Sequence, residues 1–467
     1  MRVGESTGLE DADMFPSSAE DARGQRYCEL LKDPGHVELV EKIVARLPAD
    51  SAEQIVVKPN WVRHEVSPRF PISALVTNTG LLTAVLEACL DKYPRATSIS
   101  VCDVPLQSCE WDLLVRQAAL QPLIDRYAHY HRPRVQFLDL RMERYRSEDG
   151  FLTRQEQGVG DPLGYSEVVL DARSFLDPIS DGNPSFRVSD YSPRETDRAH
   201  RKGHHRYLIA NTVLASDLFI NVPKLKTHQK SGITGALKNL VGINGKKSYL
   251  VHFRAGRLRN GGDEFPPSVP MAVVMQTRLR EIFSKHSRPA FRVLKFGWSI
   301  LRRLSDIEVD GTPENLSKQF YTAPGAWHGN DTIWRMIYDL NRIIRYAPAG
   351  GGSLSSVPGR RYMCVMDALI AGEGNGPLQP LPVKLGLVAI ANDPFLADMS
   401  MAKVMGFDFR KIPVLAHYRD FEDSSWGAFD PERTPVSVAG QQVPEIGALP
   451  TLHAFLPPPG WAGAMEL

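Results

Sequence analysis

The sequence predicts an α/β protein with a mainly parallel, layered sheet, flanking helices and a helical insertion. Short apolar segments that stop at Pro, Asn, Asp or Gly alternate with longer segments of helical period. Parallel strands are buried on both faces and are joined by helices, so this alternation is typical of a layered α/β sheet. The alternation stops between residues 251 and 350, where only helical patterns occur.

The first half of the chain supplies most of the expected sheet. Strands are predicted at residues 54–57, 98–104, 135–140 and 216–220, and helices at residues 80–93 and 111–127. Each strand segment is short and apolar and ends in a polar or turn-forming residue. Because the connections are short, consecutive strands are expected to be neighbours in one sheet.

The second half of the chain begins with the insertion and then returns to the α/β pattern. Helices are predicted at residues 271–285, 290–304, 330–346 and 394–405, and strands at residues 362–370 and 385–391. Asn330 or Asp331 is expected to cap the third of these helices. We divide the chain into a flexible N-terminal tail (1–26), a first part of the core (27–250), a helical insertion or lid (251–350), and a second part of the core with an extended C-terminal tail (351–467).

Composition excludes several classes of function. The 467 residues carry a formal net charge of +1, which gives no support for a nucleic-acid partner. No stretch approaches the roughly 20 apolar residues of a spanning helix, so we expect no integral membrane segment. The five cysteines are scattered without CxxC spacing, so we expect reduced thiols in the cytoplasm. Oligomeric state is not predicted.

The most informative segment is NVPKLKTHQKSGITGALKNLVGING, residues 221–245. If it stays extended after its strand, Lys224, Lys226 and His228 project from one face. The run ITGALKNLVG has helical composition, so Thr234 and Lys238 are expected to share a helix face, with Asn239 beside them. Basic side chains before a helix N-terminus predict an anion site, although a solvated loop is the plainer alternative. Lysines packed together also lower one another's pKa, so one is expected to be neutral near pH 7.

Polar residues also end other predicted strands. Lys58 and Asn60 follow the first strand and Asp103 ends the second, on the sheet edge where ligands of α/β proteins bind. The glycine-rich stretch 371–377 presents Glu373 and Asn375, and Glu373 is a candidate base. A plain tight loop is the alternative for that stretch. Neither a Walker A loop nor a GxGxxG fingerprint occurs in a suitable context, so nucleotide binding is not supported.

A divalent metal stays open as a cofactor. Its candidate ligands are carboxylates and histidines that follow strands or lie in the insertion. They are Asp103, His228, His252, Asp263, Glu264 and Asp331. No HxxxH spacing supports them, and Asp331 would also fit a helix cap.

Four motifs carry a resemblance to a known family. They are KPNW at residues 58–61, NVPKLKTH with TGALKNLVG, DALIAGEGNGP at 367–377 and NDPFLAD at 392–398. Together they resemble the prokaryotic family catalogued as domain of unknown function 362, over about residues 54–408. Some relatives carry ferredoxin-like cysteine clusters, whereas this chain has none, so no iron–sulfur cluster is expected. The resemblance also implies that polar residues of HFRAGRLRNGGDEFPP and WHGNDTIWRMIYDLNRI belong to the site.

The leading hypothesis is an enzyme that acts on a small carboxylate- or phosphate-bearing molecule. Lys224 and Lys226 would hold the anion, and His228 or Lys238 would move protons; Lys226 is itself a catalytic candidate. Glu373 and Asp103 would be bases or metal ligands, for proton transfer beside a carbonyl or metal-assisted hydrolysis. One alternative is a protein that binds a metal or anionic cofactor without turnover. Another is a peripheral membrane protein that uses the helix at 290–304.

Overall fold

The computed structural model describes residues 26–467 except 149–150, 183, 189–190, 192, 270–273, 275–322, 422–429 and 431. The predicted helices at 271–285 and 290–304 and nearly all of the predicted N-terminal tail lie outside the described residues. Within the described residues, no helix has both the length and the apolar character needed to cross a membrane.

The strands are numbered in chain order. Those of the first half are β1 (Cys28–Lys32), β2 (Gln54–Pro59), β3 (Ser98–Asp103), β4 (Arg134–Asp139), β5 (Glu143–Glu148), β6 (Phe151–Gln157), β7 (Tyr165–Val169), β8 (Phe186–Arg187), β9 (His200–Arg201), β10 (His204–Ala210) and β11 (Leu218–Val222). Those of the second half are β12 (Lys224–His228), β13 (Gly232–Thr234), β14 (Phe253–Arg254), β15 (Gly352–Ser353), β16 (Arg361–Asn375), β17 (Gln379–Ala391), β18 (Val436–Val438) and β19 (Gln441–Val443).

The helices are numbered in the same way. They are α1 (His36–Arg46), α2 (Ile72–Leu75), α3 (Thr79–Lys92), α4 (Trp111–Gln117), α5 (Gln121–Tyr127), α6 (Pro193–Ala199), α7 (Asn211–Leu214), α8 (Ala236–Asn239), α9 (Ile333–Tyr346), α10 (Pro394–Val404) and α11 (Pro413–Ala416). The single helix predicted at 111–127 is therefore two short helices, α4 and α5.

The large sheet confirms the α/β class and is mixed, with six parallel and four antiparallel strand pairs among the described residues. Its main path runs β19-β18-β1-β17-β16-β11-β2-β3-β4; β12 branches from β16, and β13 pairs with β12. The strands β16, β11, β2, β3 and β4 are parallel, as expected. The pairs β16–β17, β1–β17, β18–β19 and β12–β13 are antiparallel. The prediction of parallel strands therefore holds for one part of the sheet.

The antiparallel half arises from a hairpin. The predicted strands at 362–370 and 385–391 extend further, as β16 and β17, and only residues 376–378 separate them. Two strands joined by so short a turn pair antiparallel, because a parallel crossover needs a dozen or more residues. The stretch 371–377, which was expected to present Glu373 and Asn375 from a loop, is therefore mostly the end of β16, and both residues lie in that strand.

Each face of the sheet has its own apolar core. Ile55 and Val57 of β2 pack into one core with buried residues of α1, α3, α4 and α5, whereas Val56 packs into the other with residues of α8, α9 and α10. This alternation follows from the two-residue period of side chains along a strand.

The helix predicted at 330–346 is present as α9 and belongs to the core. Ile333, Ile337, Leu340 and Ile344 are buried, as expected. Polar residues of the same helix are buried too, including Asp339, which accepts hydrogen bonds from Ser174 and Tyr207. The Oδ1 of Asn330 accepts from the backbone N–H groups of Thr332 and Ile333, so it satisfies free donors at the helix start.

Candidate functional site

The segment 221–245 contains the predicted extended strand, β12, in which all five residues from Lys224 to His228 are buried. It pairs with β13, and Lys226 lies opposite Thr234. Thr234 is thus in a strand, and the prediction that Thr234 and Lys238 share a helix face is wrong. Helix α8 starts only at Ala236, after Gly235 with a backbone outside the helical region. Helical composition of the run did not reveal this short strand.

Two buried lysines of the site are each paired with a buried carboxylate. Lys58 Nζ lies 2.8 Å from Asp103 Oδ1, and Lys224 Nζ lies 2.8 Å from Asp367 Oδ2. The other oxygen of Asp103 accepts from the backbone N–H of Trp61 at 2.6 Å. We call Lys58–Asp103 and Lys224–Asp367 the paired lysines. Their charges are matched inside the protein, so these ammonium groups act as internal ties between strands.

Asparagines connect these strands to α8. Asn239 Oδ1 accepts hydrogen bonds from Lys58 Nζ at 3.2 Å and from Asn60 Nδ2 at 3.1 Å. Asn239 Nδ2 donates to Asn221 Oδ1 at 2.7 Å. Asn60 Oδ1 in turn accepts from Lys226 Nζ at 3.2 Å, and Lys226 Nζ also donates to the carbonyl of Leu75 at 2.6 Å. The predicted residues Lys58, Asn60, Lys226 and Asn239 are therefore brought together in one hydrogen-bond network.

The start of α8 is held by Asp398 of α10. Its two carboxylate oxygens accept from the backbone N–H groups of Ala236 at 2.5 Å and Leu237 at 3.0 Å. A side chain at Gly235 would place its Cβ 2.2 Å from Asp398 Oδ1, so glycine is needed there for the close approach. Burial raises the pKa of Asp398 to about 7. The helix N-terminus that was expected to bind a ligand anion is thus occupied by the protein's own carboxyl group.

Besides Lys226, four basic side chains near this network have no carboxylate partner among the described residues. We call them the unpaired basic group, and they are His228, Lys238, Lys247 and His252. Burial, and secondarily the charge of Lys247, lowers the pKa of Lys238 to about 7. Burial likewise lowers the pKa of Lys247 to about 7, although Asp103 opposes that shift. Burial and the neighbouring lysines hold the pKa values of both histidines well below the usual range. Burial also lowers the pKa of Lys226 well below its usual range, so three lysines of the site have lowered pKa values, and burial is the main cause in each.

Lys238 differs from the paired lysines because its Nζ has no hydrogen bond or ion pair within the described part of the chain. Lys247 Nζ makes one hydrogen bond, to the carbonyl of Val104 at 2.8 Å. Both side chains are nevertheless buried, with Lys238 9% and Lys247 6% exposed. Buried amines without a countercharge are costly, which is why their neutral forms are favoured.

The hydrogen bonds of His228 fix its tautomer. Its Nδ1 accepts from the backbone N–H groups of Lys230 at 3.0 Å and Ser231 at 3.3 Å. A nitrogen that accepts carries no proton, so in the neutral ring the proton lies on Nε2. His228 therefore presents an N–H donor at Nε2.

Two further groups at the site have unsatisfied polar atoms. Thr234 Oγ1 and both ring nitrogens of His252 are buried and make no hydrogen bond to any described residue. Thr234 lies directly across from Lys226, and residues opposite each other in an antiparallel pair extend their side chains to the same face. Buried polar atoms without a hydrogen bond, such as Thr234 Oγ1 and the ring nitrogens of His252, are rare in folded proteins and call for a partner.

The predicted metal ligands do not form one cluster. Asp103 is occupied by Lys58 and Trp61, as described above. Asp263 accepts from the backbone N–H of Arg254 at 2.6 Å and from the Thr332 hydroxyl at 2.5 Å. Asp331 binds Arg335 and the indole N–H of Trp334. Over the described ranges, no group of three or more His, Cys, Asp or Glu residues is arranged to hold a metal ion.

Glu264 contacts the loop that contains Asp263 and is not part of the lysine network. Its Oε2 accepts from the backbone N–H of Gly256 at 2.8 Å, next to the residues that Asp263 organises. The polar residues of the insertion thus hold together the start of α9. Their predicted role as metal ligands has no support from these contacts.

Glu373 and Asn375 lie on the hairpin of β16 and β17. Glu373 Oε2 accepts from the backbone N–H of Leu456 at 3.0 Å and lies 3.4 Å from His453 Nε2. Asn375 contacts Gln229 and Gln379. These contacts attach the C-terminal segment and the turn after β12 to the hairpin. Neither Glu373 nor Asn375 forms a hydrogen bond or ion pair with the unpaired basic group.

Sequence reasoning missed Asp367, Asp398 and Lys247. The signal for the two carboxylates was available, since Asp367 lies in the apolar run YMCVMDALI and Asp398 in FLADMSM. A carboxylate within a run that must be buried needs a partner. Lys247 had no comparable signal, because NGKKS is typical of a solvated turn.

The motifs that first suggested a family now lie in contact. Lys58 and Asn60 of KPNW reach Asn239, Asp367 of DALIAGEGNGP reaches Lys224, and Asp398 of NDPFLAD holds the start of α8. A comparison with curated proteins finds no match. The model of the family described as "Domain of unknown function (DUF362)" matches residues 164–403, just over half of the chain. The chain therefore belongs to the DUF362 family.

Proposed function

We propose that this protein is an enzyme that acts on a small anionic molecule by lysine and histidine acid–base chemistry. The ligand carries a carboxylate or a phosphate, and its charge is held by the unpaired basic group. The paired lysines and the asparagine network hold the strands and α8 in place around it.

The observation that carries the proposal is Lys238. It is a buried amine without a partner among the described residues, and its pKa is lowered to about 7. A general base works best when its pKa is near the working pH, because it is then free to accept a proton and still basic enough to do so. An anionic ligand beside it would also supply the missing countercharge.

The neighbouring groups have complementary roles. Neutral Lys238 accepts a proton, and His228, which has its proton on Nε2, donates a hydrogen bond or a proton to a developing negative charge. Lys247 holds the anionic group. This pairing of a base with a donor suits proton abstraction beside a carbonyl. The metal-assisted form of the hypothesis has less support, because the described residues contain no three-residue ligand set.

The test is turnover in D2O, followed by proton NMR on a panel of small carboxylate and phosphate compounds that carry a C–H beside a carbonyl. We expect exchange or conversion of at least one compound. Lys238→Met or His228→Gln is expected to reduce its rate about 100-fold or more, the usual range for a lost acid–base group. Lys384→Met removes an exposed lysine of β17 and is the matched control, with an unchanged rate.

A ligand that binds in a Lys238-dependent way without exchange or conversion would contradict the enzyme and favour the alternative of a binding protein. Unchanged turnover in both site variants would exclude the assigned roles. The cytoplasmic location remains part of the same proposal and is supported by the five cysteines, all free and buried.

A further inference from the structure

The buried charges around the site do not balance. Asp103 and Asp367 are matched by Lys58 and Lys224. Asp398 is satisfied by two backbone N–H groups. No buried carboxylate among the described residues forms an ion pair with the unpaired basic group. Lys247 remains to be matched whenever it is protonated, and so does Lys226, which also has no carboxylate partner among the described residues, whereas Lys238 is the neutral base of the proposed function.

The donors around the site come from several separate elements. Lys238 is on α8, Lys247 begins the 3-10 helix Lys247–Tyr249, and Thr234 ends β13. His228 ends β12, and His252 lies in the loop before β14. Thr234 Oγ1 and the ring nitrogens of His252 are buried and make no hydrogen bond within the part of the chain that the structure describes. A ligand that satisfies groups from so many elements needs acceptor oxygens that point in several directions.

We infer that the charged part of the ligand is a phosphate monoester group, held by Lys238, Lys247 and Thr234 with the two histidines beside it. This inference rests on the proposed function and narrows its substrate class. A phosphate monoester has three terminal acceptor oxygens and a charge between −1.5 and −2 near neutral pH, roughly what two lysines balance. A carboxylate has one charge and two oxygens in a single plane, so it would leave one lysine and some of the donors unmatched.

The experiment is isothermal titration calorimetry of the full chain with inorganic phosphate, acetate and succinate, at pH 7.5 and constant ionic strength. Phosphate is expected to bind more tightly than either carboxylate. Lys238→Met is expected to weaken phosphate binding about tenfold or more, as befits a lost hydrogen bond to a charged group. Lys384→Met, on the exposed side of β17, is the control and leaves the affinity unchanged.

Thr234→Val keeps the shape of the side chain and removes only the unpaired hydroxyl. It is expected to leave thermal stability unchanged and to weaken phosphate binding about threefold or more. This variant tests the inference even if Lys238→Met fails to fold. A Thr234→Val protein with wild-type affinity for phosphate would remove Thr234 from the site and overturn the assigned arrangement.

The remaining outcomes separate the inference from the proposed function. Succinate or acetate binding more tightly than phosphate, in a Lys238-dependent way, would overturn the phosphate group but keep an anion site. No Lys238-dependent binding of any of the three anions would overturn both. Phosphate binding that Lys384→Met weakens as much as Lys238→Met would identify non-specific charge attraction and overturn the inference.

Discussion

The paired lysines and the unpaired basic group lie close together, but only the paired lysines have a carboxylate partner among the described residues. Lys224 has a carboxylate oxygen at 2.8 Å, whereas Lys238 has no hydrogen-bond partner among the described residues. Both side chains come from the same stretch of chain, residues 221–245. The difference is that the fold places a carboxylate beside Lys224 but not beside Lys238.

This contrast separates lysines that stabilise the fold from lysines that can bind an external anion. A lysine that is matched internally has little reason to bind an external anion, because binding would break a pair that was costly to desolvate. An unmatched lysine gains from an external anion. We therefore propose that Lys58 and Lys224, both predicted to bind the ligand or cofactor, act as ties, and that Lys238 and Lys247 bind the ligand.

The largest effect is expected from breaking a paired lysine. Asp367→Ala leaves Lys224 as an uncompensated buried charge and removes the acceptor of the Asn78 N–H. We expect a loss of about 3–5 kcal/mol in the free energy of unfolding, measured by urea denaturation. The double variant Lys224→Met, Asp367→Leu removes both charges and should recover much of that loss. If Asp367→Ala costs less than about 1 kcal/mol, the pair is not a tie.

A smaller effect is expected at Asp398. Asp398→Asn keeps one acceptor for α8 and loses the second, so the N–H of Ala236 or Leu237 loses its partner. At pH 4, where Asp398 is protonated in the folded protein and neutral like the amide, we expect a loss of about 1–3 kcal/mol in the free energy of unfolding. This loss should shrink as the pH rises toward 7, because the ionised carboxylate of the wild type is itself costly to bury. Phosphate affinity should fall as well, because α8 carries Lys238. Unchanged stability and affinity would show that α8 does not depend on this carboxylate.

The third effect concerns the pH dependence of the free energy of unfolding. The pKa of Lys238 is about 7 in the folded protein and about 10.5 when unfolded, so between these values the folded state binds fewer protons. The free energy of unfolding of the wild type, minus that of Lys238→Met, should therefore rise with pH from 7 to 10.5 and level off at lower pH. The slope is at most about 1.4 kcal/mol per pH unit, measured by urea denaturation at pH 7, 8 and 9.

Burial is the main cause of this lowered pKa, and the charges of Lys247, Lys230 and Lys58 add to it. The control variant Lys384→Met should give no pH-dependent difference. A flat difference for Lys238→Met would mean that Lys238 keeps its ordinary pKa, and the contrast with the paired lysines would then disappear.

Much of the sheet was predictable, because strand patterns reflect burial. The ends of β2, β3 and β11 were placed within a few residues, and β12 was expected to be extended. The hairpin of β16 and β17 was not predicted as such, since periodicity identifies strands but not the direction in which they pair. Thr234 was misassigned because a three-residue strand is too short for a periodic signal.

The partners within the site were harder to predict than the site residues. The sequence predicted Lys58, Lys224 and Lys238 alike as site residues, because composition does not tell which carboxylate pairs with which amine. Asp367 lies 143 positions from Lys224, and Asp398 lies 162 positions from Ala236. Such pairs are decided by strand order in the sheet, which a single sequence does not specify.

The place of β11 in the sheet also affects how the family should be handled in the laboratory. β11 lies between β16, which is inside the matched segment 164–403, and β2, which is outside it. β17 likewise pairs with β1, from the start of the described chain. A fragment cut at the family limits would carry two bare sheet edges and an Asn239 without Lys58 and Asn60, so we expect it to aggregate. We therefore expect the folding unit of this chain to extend beyond the matched family segment, so expression should include residues from at least β1 onward.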